Sequence, residues 1–265
     1  MRPAEFVRTL HRADPVLSVT GWFHVALLAA MLCIAPWDSR TVLGLNPWIK
    51  PMKFAASITL YVWTLGWYLR YLPGPRRALA IIRGGVALAM VAEIVCIATQ
   101  GARGTTSHYN TATPFDQAVF AVMGIMILVN SLLALWTLLL FLTERVEIAA
   151  AYRMGIRFGL ALFVIGSLEG MIMILNQAHT IGLADGGPGL PFLNWSTQAG
   201  DLRAAHAVGL HGLQILPLAG YALSRRPGLS PTVQLLLLSA AAVLYVGVLS
   251  TLFRQAAAGR PMIAL

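Results

Sequence analysis

Residues 115–142 read FDQAVFAVMGIMILVNSLLALWTLLLFL. A helix on the surface of a water-soluble protein keeps one polar stripe for solvent, and this stretch has no such stripe. About 20 apolar residues at 1.5 Å each cross the hydrocarbon layer of a bilayer, so the run predicts a membrane span. Six more stretches of the same character lie near 18–36, 47–70, 79–100, 156–179, 202–222 and 231–253. Stop signals separate them: Pro36, the run from Pro73 to Pro75, Gly101 through Pro114, Asp185 through Pro191, and Pro227 to Pro231. The expected fold is all-α, a polytopic integral membrane bundle of seven transmembrane helices forming a single domain over residues 1–265.

Composition agrees. Of the 265 residues 58% are hydrophobic and 11% charged, and the mean hydropathy is +0.73, which excludes a soluble globular domain and a disordered chain alike. Two cysteines cannot form a disulfide framework. The net charge of +9 does not indicate nucleic acid, because the basic residues are scattered in small groups between apolar runs. Such scattering is the pattern of residues that set orientation in a bilayer. Alternating the loops puts 12 of the 19 Lys and Arg residues on the side of Arg2, Arg8 and Arg12, so the N-terminus is expected inside and the C-terminus outside. The stretch from 180 to 200 has no Lys or Arg, which suits the outer face. The first span reads as an uncleaved anchor, since Pro36 follows its one small-residue pair. The excess of Arg over Lys and the abundance of Ala point to a bacterial inner membrane.

An ionisable group inside a span costs roughly 2.5–3.5 kcal/mol on insertion scales, so it normally faces the bundle interior and marks a functional place. Lys50 and Lys53 fall in the second span, Glu93 in the third, Glu169 in the fifth, and His206 and His211 in the sixth. Counting the helical rise from the span ends puts Glu93, Glu169 and His211 roughly 14–17 Å deep. A seven-residue spacing places Gln100 on the face of Glu93, and Asn176 on that of Glu169. Gln214 neighbours His211, whereas His206 and His211 are about 140° apart and do not form a chelating pair. Arg103 adds a cation at the outer end. The expected site is a polar pocket open to the outer face, beneath the 180–200 connection. There Lys50, Lys53 and Arg103 attract a small polar or anionic ligand, and Glu93, Glu169 and His211 provide proton coupling.

Other readings stand beside it. Two Glu and two Lys can neutralise one another as packing ion pairs. A membrane enzyme would use zinc or haem b held by outer-half histidines, with His108, His179, His206 and His211 as candidates and a glutamate as general acid or base. A third reading is a structural subunit of a membrane complex. Gly155, Gly159, Gly166 and Gly170 form a small-residue stripe expected to admit a neighbouring helix closely. Asn130 reads as interhelical glue, His24 as a packing histidine, and Trp48 as an interfacial anchor. Seven spans resemble the retinal proteins and the alkaline-ceramidase-like hydrolases in number. The last span, however, has neither the Lys nor the His that those sites require.

Overall fold

The computed structural model describes residues 3–74 and 76–264. Arg2 and Pro75, used above for orientation and as a stop signal, lie outside the described residues. The helices are α1 (Pro3–Ala13), α2 (Pro15–Ile34), α3 (Ile49–Leu69), α4 (Arg76–Arg103), α5 (Pro114–Thr143), α6 (Ala150–Asn176), α7 (Leu202–Ser224) and α8 (Pro231–Ala257). A short ribbon pairs β1 (Thr180–Ile181) with β2 (Gly200–Asp201), Thr180 opposite Asp201.

Five segments are long and apolar enough to cross a membrane: Pro15–Trp37, Arg76–Arg103, Pro114–Thr143, Ala150–Asn176 and Pro231–Ala257. They make the chain a helical, multi-pass membrane protein by length and composition. The two other expected spans form as helices, α3 and α7, of 21 and 23 residues. Each is long enough to cross but is diluted by polar groups, with lysines, Trp and Tyr in α3 and Arg203, two His and Gln214 in α7. The outward surface is apolar: Leu88 is 65% exposed, Leu244 70% and Leu175 82%. Lipid accepts such a surface and water does not.

The chain divides into two compact units, Met1–Leu133 and Ala134–Leu265, and the division falls within α5. In the first, α2 packs on α3 and α4, and α1 packs on α2 and α3. The amphipathic α1 is absent from the sequence-based reading, because 11 residues with Glu5, Arg8 and Arg12 never resemble a span. Its apolar side is seated: Leu10 is fully buried, and the Phe6 ring lies 4.9 Å from Trp67. Asp14 caps α2 by accepting from Leu17 N at 3.0 Å and pairs with Arg83 of α4 at 2.7 Å. His24 packs as expected, fully buried, its ring nitrogens 2.7 Å from Thr20 O and 3.3 Å from Met90 O. Asn130 Oδ1 accepts from Tyr61 Oη at 2.8 Å, the interhelical bond expected of it.

In the second unit α6 and α7 share the most extensive contact, and α8 packs on both. The glycine stripe makes it. A Cβ on Gly155 would stand 2.6 Å from Leu216 O, one on Gly159 2.9 Å from Gly212 O, and one on Gly166 2.8 Å from Leu210 N. Gly209, Gly212 and Gly220 of α7 answer from the other side, the last with only 2.3 Å to Ala151 O. α6 begins at Ala150, six residues earlier than the expected 156. Arg153 is therefore helical as well as Arg157, and the two donate to Val146 O and Phe141 O at 2.9 and 2.8 Å. Those bonds serve carbonyls at and just beyond the C-terminal end of α5, where cations are favoured.

Candidate functional site

The first unit assembles a polar site where α3 begins and α4 ends. Its foundation is the loop 38–48. Asp38 accepts from Arg40 Nε and Nη2 at 2.9 and 2.7 Å and from the Trp48 indole at 2.9 Å. The hydrogen bond from Arg40 is the main reason that the Asp38 carboxyl lies well below the usual carboxylate range. Asn46 Nδ2 donates to Ala35 O and Asp38 O, while its Oδ1 accepts from Trp48 N at 3.0 Å. Trp48 is thus buried and pinned, a correction to its reading as an interfacial anchor. Pro51 then closes on Gly101, where a Cβ would lie 3.0 Å from both Pro47 O and Pro51 Cγ. The segment NPWIKP is a bracket that orients the first turn of α3.

What the bracket orients is Lys50. Its Nζ lies 3.1 Å from His108 Nδ1, and Ser107 Oγ lies 3.0 Å from the same nitrogen. An ammonium can only donate, so Nδ1 accepts and the proton of the neutral ring is on Nε2. Phe54, Tyr109 and Phe120 surround the imidazole with ring centroids at 5.8, 6.0 and 6.5 Å. Lys53 follows one turn after Lys50 on the same side of α3, and both are half-buried. Glu93, 4% exposed on α4, is acted on electrostatically by Lys50, and its Oε2 is buried with no hydrogen-bond partner. A buried polar atom without a partner is uncommon enough in a native fold to need an explanation. Lys50, Lys53, Ser107, His108 and Glu93 therefore unite two cations, an N–H donor and a proton-carrying group in one unit.

Gln100 and Arg103, also assigned to the pocket from sequence, meet at Asp116. Gln100 Nε2 donates to Asp116 Oδ1 at 2.7 Å, the Arg103 guanidinium pairs with the same oxygen, and Thr113 Oγ1 donates to Oδ2 at 2.6 Å. Thr113 Oγ1 in turn accepts from Asp116 N at 3.2 Å, capping α5. This clamp ties the end of α4 to the start of α5 and frames the loop that carries His108.

In the second unit Glu169 is 7% exposed, and its Oε2 too is buried without a hydrogen-bond partner. His206 lies 2.7 Å from Gly166 O through Nδ1, and its ring edge rests where a Cβ on Gly170 would be, at 3.1 Å. His211 is exposed, with Nδ1 3.4 Å from Gln214 Oε1. Asn176 donates to Ala178 O and Thr180 O at 3.2 and 3.0 Å, closing the turn after α6, where Gln177 is left-handed at φ 54°.

The loop after α6 is held by two carboxylates. Asp185 accepts from the His179 ring, from the backbone N–H groups of His179 and Thr180, and from Thr180 Oγ1 at 2.9 Å. Burial opposes its ionisation, and the hydrogen bonds from His179 and Thr180 more than offset this, holding the carboxyl well below the usual range. Asp201 caps α7, accepts from Ser196 N at 2.7 Å and holds Arg203 through two bonds.

No known protein family, curated protein or solved structure matches the chain. Among the described residues no group of three or more His, Cys, Asp or Glu side chains is arranged to hold a metal ion. The four candidate histidines have separate partners: Lys50 for His108, Asp185 for His179, the Gly166 carbonyl for His206 and Gln214 for His211. An ammonium 3.1 Å from His108 Nδ1 also disfavours a cation at that nitrogen. Sequence reasoning missed Asp38, Asn46 and Asp116, whose only visible signals were the Asn-Pro turn before α3 and the Thr-Pro start of α5.

Proposed function

We propose that the chain is a seven-span protein of the bacterial inner membrane, N-terminus inside, that binds or transports a small polar or anionic ligand with proton coupling. The ligand enters at the outer end, where α3 starts and α4 finishes. Lys50 and Lys53 supply positive charge, His108 supplies a donor at Nε2, and Glu93 supplies a group able to carry a proton within the span. Glu169 is a second proton-carrying group, with His206 and His211 on the neighbouring helix of its own unit. The excess of Lys and Arg in alternate loops supports the orientation.

One observation carries this reading. Lys50 and Ser107 converge on His108 Nδ1, and the same Lys50 acts electrostatically on a glutamate, Glu93, whose buried Oε2 has no hydrogen-bond partner. A purely structural role would be expected to satisfy that oxygen, because leaving it bare costs roughly 1–3 kcal/mol.

The test uses the full chain in sealed vesicles with a pH-sensitive dye inside, challenged with acetate, small dicarboxylates and inorganic phosphate. At least one anion should drive proton movement that Glu93→Gln abolishes and Lys50→Gln weakens tenfold or more, with expression unchanged. Anion-independent dye signals, or a Glu93→Gln protein that behaves as wild type, would overturn the proposal.

A further inference from the structure

The sequence places α1 before the first span without assigning it a task, and the structure shows what it builds. Ala4, Val7, Arg8 and His11 share one side of α1 and face Trp22 of α2 across an open groove of about 540 Å³. Trp22 is 47% exposed although its ring packs edge-on against Trp63 at 5.2 Å. Beyond it the surface of α2 continues with Val19, 57% exposed, and Phe23, 39% exposed. The groove is therefore apolar in its walls and runs onto the flank of a membrane-crossing helix.

Charge is confined to its α1 wall. Arg8 and His11 are both exposed, and no carboxylate lines the groove. Glu5, one turn before Arg8 on α1, is not among the residues lining the groove, and Asp14 is buried and already paired with Arg83. α1 stops at Ala13 and the first span starts at Pro15, so the groove lies at the level where the chain enters the bilayer, whichever side that is. An occupant must join a long apolar body to a negative group at the headgroup layer. An amphipathic basic helix in that layer recognises anionic lipids by this combination.

We infer that the α1–α2 groove is a binding site for one anionic phospholipid, whose phosphate is held by Arg8 and His11 and whose acyl chain lies against Val7 and Trp22. The site is independent of the ligand pocket proposed above and stands if that reading fails. Arg8 is at the surface, and His11, itself exposed, makes one part-buried contact, its ring nitrogen 3.3 Å from Oγ of the buried Ser18. Both can be replaced without opening the core.

The delipidated full chain in neutral detergent is titrated with phosphatidylglycerol, phosphatidylcholine or inorganic phosphate, and bound lipid is counted by native mass spectrometry. Phosphatidylglycerol should bind with one tight site, at least tenfold stronger than phosphatidylcholine, and inorganic phosphate should not compete. Arg8→Gln should lower the preference about fivefold, the worth of one basic residue near a membrane surface. Arg8→Gln with His11→Gln should remove it, while the charge-matched Arg226→Gln should leave it unchanged. Equal retention of the two lipids, or a preference that survives the double substitution, would overturn the site. Displacement by inorganic phosphate would assign it to a soluble anion instead. A dimer that phosphatidylglycerol does not disperse and Trp22→Ala does would put a second copy there, again overturning it.

Discussion

The two compact units are joined internally by different means. In the second unit α6 and α7 approach backbone to backbone at Gly155, Gly166, Gly209 and Gly220, with Leu162 and the His206 ring seated on glycines of the facing helix. In the first unit the helices are tied by polar locks: Asp14 to Arg83, Asn130 to Tyr61, Asp116 to Gln100 and Arg103. Close glycine packing gains only dispersion and forbids change, so it builds a scaffold. Polar locks cost desolvation and fix position, so they are placed where other side chains must be aimed. Lys50, His108 and Glu93 stand in the unit built by the second method.

The contrast is broken most severely at Gly220. Gly220→Val places a Cβ 2.3 Å from a backbone oxygen that cannot swing aside, and α6 and α7 should separate at a cost of about 3 kcal/mol or more. Loss of the monodisperse peak in detergent would report it. Gly84→Ala in α4, where a Cβ meets nothing within 4 Å, is the matched control and should be neutral or slightly stabilising.

The polar lock in the first unit is next. Arg83→Gln strands the fully buried Asp14, and the thermal midpoint should fall by an amount corresponding to about 3 kcal/mol. Arg83→Lys should recover part of it. An unchanged midpoint would mean that the α1–α2 junction does not depend on the pair.

A smaller effect belongs to the loop after α6. Because the Asp185 carboxyl is held below the ordinary value of about 4, its contribution is complete above that pH and disappears only as pH falls through the depressed value. Hydrogen exchange of the His179 and Thr180 amides should stay slow at pH 4 and accelerate in stronger acid. Asp185→Asn should make exchange fast at every pH, by about 1–2 kcal/mol of opening free energy. The least effect is expected from Gly170→Ala. The His206 ring must yield a few tenths of an ångström, which should cost within about 1 kcal/mol in the same melt.

Much of this architecture can be read along the chain, because a membrane span is defined by length and apolarity and needs no partner to be recognised. All seven predicted stretches are helices, five of them apolar enough to cross alone, and the glycine stripe of α6 does meet a helix. α1 escaped because it buries Phe6 and Leu10 against the bundle instead of crossing the membrane. The locks escaped for a related reason. Asp116 sits 13 residues from Arg103, and Asp38 10 from Trp48, and no helical or strand period links either pair. Gln100 and Glu93 share a periodic face, yet Gln100 is drawn to Asp116 at the helix end while Glu93 remains in the interior. Period assigns a face and leaves the partner to tertiary structure.

The most direct measurement of the central claim is the nitrogen NMR spectrum of His108 in the purified protein, compared among wild type, Lys50→Gln and Glu93→Gln, with and without the anion that moves protons in vesicles. A site in which Lys50, His108 and Glu93 act together requires Nδ1 to be an acceptor and Nε2 to carry the proton. Lys50→Gln should shift Nδ1, and the anion should shift Nε2 in wild type but less in Glu93→Gln. A proton on Nδ1, or two ring nitrogens indifferent to Lys50→Gln and to every anion, would contradict it.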